Sequence, residues 1–228
     1  MPYILLNYTD SLKDVFTLVH EMGHSMHSYY TRKTQPYTYG DHSIFTAEVA
    51  STVNESLLIK HLLDTENDPQ MRKYLLNYYI EEFRTTLFRQ TMFAEFELMA
   101  HQEIENGGVL TAGWLNENYE KLNSDYFGPV MEKDPYIQYE WARIPHFYRG
   151  FYVYQYATGY SAATAISEKI LKEGQTARDN YIEFLKSGSS DYPVELLKIA
   201  GVDMTSPEPV KMAMETFKTL VDELEEIL

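Results

Sequence analysis

The sequence predicts a mainly α protein with at most a short β element at its N-terminus. Three observations carry that prediction. Apolar residues recur at helical spacing through most of the chain. Helix-capping residues and Gly- or Pro-containing breaks punctuate those runs. A single β-prone stretch, PYILLNY at 2–8, stands alone at the start.

The elements follow in order. Residues 2–8 read as a strand, which needs partners to be stable. Thr9-Asp10-Ser11 offers a cap. Leu12, Val15, Phe16, Val19, Met22, Gly23 and Met26 then carry a helix to about Tyr30. A Pro- and Gly-containing loop follows, and a second helix covers Ser43–Leu63. A long helical stretch from about Pro69 to Glu105 is closed by Asn106-Gly107-Gly108. Thr111 caps a helix to about Leu122, and 125–135 is irregular. Helices are expected over 147–172, 176–186, 193–200 and 207–227, with a polar loop at 187–191. No internal repeat and no linker divides the chain, so residues 1–228 read as one domain.

Composition narrows the function. A net charge of −15 argues against a nucleic-acid partner, which needs a basic face. No run of residues is apolar and long enough to suggest a membrane span. Cysteine is absent, which excludes disulfides and thiolate metal sites. That absence fits a reducing compartment, and a cytoplasmic location is expected.

The chemistry centres on LVHEMGHSMHSYY at 18–30. His20 and His24 are one helical turn apart, so their rings can converge on one ion, with Glu21 placed to reach a water beside it. The H-E-x-x-H pattern is short and recurs in unrelated sequences. Gly23 strengthens it by allowing close approach of a second element. His27 shares the face, but two turns of rise set it about 10.5 Å from His20. It reads as a packed or supporting histidine. A third histidine six residues after His24 is ruled out, because Tyr30 stands there.

A catalytic zinc needs a third protein ligand. Glu48 and Glu55 lie seven apart on the inward stripe of the second helix, among Phe45, Val49, Val53 and Leu57. Buried carboxylates are costly unless paired or metal-bound. Glu48 is expected as the ligand and Glu55 as the partner of a liganding imidazole. Asp41 and His42 in the preceding loop are rival ligands. A third group is aromatic: His146 precedes Tyr148, Tyr152, Tyr156 and Tyr160, which at intervals of four make one stripe if the segment is helical. Such hydroxyls can donate to an oxyanion. For Tyr148, Tyr154 and Tyr160 a core position is the expectation. Gly150 and Gly159 are expected to let the segment close over a peptide.

VHEMGHSMHSYY and FTAEVASTVNE together resemble the oligopeptidase F branch of the thimet-oligopeptidase-like zinc metallopeptidases. IPHFYRGFYVYQYATGYSAA and SDYPVELLKIAGVDMTSPEP extend the resemblance over essentially the whole chain. It implies a zincin-like helical catalytic domain lacking the family's N-terminal helical portion and beginning on a strand inside the domain. It implies one zinc ion held by His20, His24 and Glu48, with Glu21 as general base and His27 not a ligand. It further implies that His146 and tyrosines of its segment, for which Tyr152 and Tyr156 are favoured, bind substrate and stabilise the oxyanion. Short peptides are the expected substrates. A separately encoded N-terminal half or second chain is a possible partner, and a non-catalytic zinc-binding half is the alternative reading.

Overall fold

The computed structural model describes residues 2–228, which are 75% helical and contain no strand. Nine α-helices are described: α1 Leu12–Thr34, α2 Ile44–Thr65, α3 Pro69–Glu82, α4 Arg89–Glu105, α5 Ala112–Phe127, α6 Tyr154–Glu173, α7 Gln175–Lys186, α8 Pro193–Ile199 and α9 Glu208–Glu226. A π-helical turn, Phe83–Phe88, interrupts the stretch expected to run unbroken from Pro69 to Glu105. The chain packs as two compact units. One holds the residues up to Phe83 together with Thr158–Leu228, and the other holds Arg84–Ala157.

Residues 2–8 are irregular rather than a strand. Tyr3 and Leu5 are almost fully exposed. No strand is assigned among the described residues, so the run has no ladder in which to place its N–H and C=O groups. The cap does form: Ser11 accepts from Asp14 N, and the Asp14 carboxylate accepts from Ser11 N and from both Thr9 N and Oγ1. These bonds hold the Asp14 carboxyl well below the ordinary aspartate range.

In the first unit, α1 lies against α2 because Gly23 has no side chain. A Cβ there would sit 2.4 Å from Ser51 Cα and 2.7 Å from Ala50 O. Val49, Ala50 and Val53 then join Ala162, Ala163, Ala165 and Ile166 of α6 and Phe184 and Leu185 of α7 in one core. Tyr181 Oη donates to Ala50 O at 3.3 Å, and Thr31 Oγ1 donates to Leu185 O at 2.9 Å. Lys60 pairs with Glu168 across α2 and α6.

The second unit closes α4 on α5 around Met92, Phe93, Phe96, Tyr119 and Leu122, with Ile144 and Val153 inserted from the following segment. Glu140 accepts from Tyr119 Oη at 2.6 Å and pairs with Arg89 and Arg143. The helix expected over 147–172 starts only at Tyr154. Pro145–Tyr148 form a 3-10 turn, and Phe151 takes φ 55°, a left-handed conformation no helix accommodates.

Candidate functional site

The capped helix α1 presents His20 and His24 on one face, as their spacing requires. Their Nε2 atoms lie 3.1 Å apart. From α2, brought close by the Gly23 contact, Glu48 Oε2 reaches His20 Nε2 at 3.5 Å and His24 Nε2 at 4.0 Å. These three are the described residues whose donor atoms could hold a metal ion together. The donor set suits zinc. Two nitrogens bound at about 2.0–2.1 Å in a tetrahedron stand about 3.4 Å apart, close to the separation found here. The side chains are 25% to 29% exposed, so the group is partly open to solvent.

Glu55 sits one further pair of turns along α2. Its Oε2 is 3.3 Å from His20 Nδ1. A carboxylate there holds the proton on Nδ1 and turns the Nε2 lone pair toward Glu48 and His24. Burial opposes a charge on His20, but the Glu55 bond and the charges of Glu55, Glu48 and Glu21 outweigh it, and the His20 pKa is raised. Glu82, which sequence reasoning did not single out, is also near this group. Burial, then the charge of Glu55, raises its pKa. Its place in α3, far from the motif along the chain, offered no local signal.

The rival ligands lie elsewhere. His27 is buried, stacks on His42 with centroids 4.0 Å apart, and packs on Phe184. Burial lowers its pKa to about 3, so it is a neutral packed histidine. The His42 ring is taken up in that stack, and the Asp41 carboxylate accepts the His42 backbone N–H at 2.9 Å.

In the second unit, His146, Tyr152 and Tyr156 come together. The rings of His146 and Tyr152 stack at 5.7 Å, and Tyr156 meets both edge-on at 5.6 Å. Tyr156 Oη is 3.4 Å from His146 Nε2 and 3.4 Å from Tyr152 Oη. The stripe of four tyrosines is not present, because the chain is not helical before Tyr154. Tyr148 is 90% exposed and Tyr154 is also exposed, against the core position expected for them. Tyr160 is core, in edge contact with Phe83. Gly159 is a buried position in α6, 3.8 Å by its ideal Cβ from Glu48 Cβ.

The sequence pattern of peptidase family M3 matches residues 1–216. The chain belongs to peptidase family M3. Oligopeptidase PepF of Bacillus subtilis (strain 168) is 58% identical over 227 residues, which is 100% of this chain and 34% of that protein. The oligoendopeptidase F homolog of Lactococcus lactis subsp. lactis (strain IL1403) is 50% identical, over 99% of this chain and 38% of its own length. The crystal structure of oligoendopeptidase-F from Enterococcus faecium superposes with a TM-score of 0.86 at 52% identity, covering 95% of this chain and 39% of that one. This family M3 chain therefore spans somewhat over a third of the length of the relatives it matches, and what it matches is helical.

Proposed function

We propose that this chain carries the chemistry of a zinc metalloendopeptidase that hydrolyses short oligopeptides. The observation that carries the reading is the convergence of His20, His24 and Glu48, with Glu55 behind His20, in a chain of peptidase family M3. His20 Nε2, His24 Nε2 and Glu48 would hold the ion. When bound, zinc acidifies water and polarises a carbonyl. Glu21, next along α1 from His20, accepts the proton of the attacking water and returns it to the leaving amine. Glu55 keeps His20 in the tautomer that leaves Nε2 unprotonated. His146, Tyr152 and Tyr156 supply donors for the oxygen that gains charge as the scissile carbonyl becomes tetrahedral. A soluble cytoplasmic peptidase acting on peptide fragments accords with the acidic composition and the lack of any described helix long and apolar enough to cross a membrane.

The test is Glu21→Gln. It is expected to retain one zinc per chain by metal analysis and to lose turnover of a quenched fluorescent peptide by ~10²–10⁴-fold. Retained turnover sinks the base assignment. A second reading is a zinc-binding half that turns over peptide only with a separately encoded N-terminal half. Assays of this chain alone and with that half added separate the two.

A further inference from the structure

The group His146, Tyr152 and Tyr156 is held by a device the proposed reaction does not explain. Glu97, on α4, is 5% exposed and lines the same hollow as Phe96, Ala100 and His101. A buried carboxylate needs a partner. Glu97 Oε1 accepts the backbone N–H of Phe151 at 2.7 Å, 54 residues along the chain. Phe151 is one of two non-glycine residues with positive φ among those described. An L side chain rarely stays there unless surrounding contacts hold it. One turn beyond Glu97, His101 stacks on the Phe151 ring with centroids 4.6 Å apart. Helix α4 thus grips Phe151 by its backbone and by its ring. The next residue, Tyr152, stacks on His146, and the one after, Val153, is buried in the core. The left-handed turn at Phe151 is what sends its own ring over α4 while Tyr152 faces His146.

We infer that Glu97 is a positioning residue, locking Phe151 in its left-handed turn and so setting the mutual geometry of His146, Tyr152 and Tyr156. The inference rests on the oxyanion role proposed for those three only for its effect on turnover. Its effect on geometry stands by itself.

The experiment follows the His146 ring-proton shifts in NMR spectra of the full chain, assigned by their loss in His146→Ala. Ring currents from Tyr152 and Tyr156 displace them in the parent. Glu97→Ala is expected to return them toward free-histidine values. Glu97→Gln is expected to keep them, because an amide carbonyl accepts the same N–H. If Glu97→Ala does not fold, Phe151→Pro reads the other side of the bond. It changes a half-exposed residue, deletes the donor and forbids the φ, so the shifts should again collapse. Unchanged shifts in either variant overturn the inference. In peptide assays Glu97→Ala should lower kcat by roughly ten- to a hundredfold with KM little changed and zinc content intact. It should cost clearly less in a His146→Ala background, where one of the three groups it places is already gone, and an equal loss there also overturns it. Full turnover in His146→Ala alone, with the shifts still moved by Glu97→Ala, would end the oxyanion reading and leave the positioning in place.

Discussion

The two groups of functional side chains are held in different ways. His20, His24, Glu48 and Glu55 all project from the interior turns of two long helices, pinned together where Gly23 meets Ser51. His146 and Tyr152 lie outside any α-helix, on a segment tied down at Ile144, Phe147 and Val153, and Tyr156 sits in the first turn of α6. In the first group regular backbone does the positioning, and Glu55 orients only the ring of His20. In the second a few tertiary contacts hold an irregular path, and one lost contact moves several side chains. Helices place ligands to within the tolerance a metal demands. A non-helical segment can instead bring a histidine and two tyrosines ten residues apart into mutual contact.

The largest effect expected from this contrast is on metal binding. Glu48→Ala removes one of the three proposed ligands and should weaken zinc by about a hundredfold or more, read by competition with a chromophoric chelator. The His146 ring shifts should stay put; if they move, the two groups are not independently held. Next in size is Tyr156→Phe. Loss of a donor of this kind is expected to cost ~10²–10³ in kcat while zinc affinity is unchanged. Wild-type turnover in that variant would reduce the aromatic group to packing.

Gly23→Ala acts on what holds the helices together. Its new methyl meets backbone rather than a movable side chain, so α1 and α2 must separate. A loss of ~1–3 kcal/mol in denaturant unfolding is expected, with weaker zinc binding alongside. Normal stability would show that the contact is not what sets the helix spacing. The smallest effect near neutral pH is that of His27, which shows only in acid. Its pKa is about 3 in the folded protein against 6.5 when free. The unfolded chain therefore binds more protons between those values, and stability falls as pH drops from about 6.5 toward 3. His27→Leu should flatten that part of the stability–pH curve. A slope unchanged by the substitution would locate the acid sensitivity elsewhere.

Much of the first group was legible before any coordinates. A helix repeats every 3.6 residues, so the spacing of His20 and His24 places both on one face whatever the rest of the chain does. The same rule put Glu48 and Glu55 together and set His27 apart. The aromatic segment misled for the converse reason. Tyrosines at intervals of four suggest a helix, and propensity has no way to register a carboxylate 54 residues upstream that holds Phe151 at a positive φ. The π-helical turn between α3 and α4 was equally silent, because a local change in the hydrogen-bond ladder leaves no mark on apolar spacing over six residues.

Residues 2–8 make the same point from the opposite side. Their β-prone character is real, but a strand exists only as one member of a ladder, and none of the described residues supplies the other. What the sequence by itself determined is whatever depends on neighbours within two or three turns: the helices, the Ser11 and Thr111 caps, and the one-turn pairing of two imidazoles. Tertiary structure alone decided how closely α2 approaches His20 and where His146 meets its tyrosines. Those depend on contacts between residues far apart in the chain, whose free energies are of the same size as the local preferences they override.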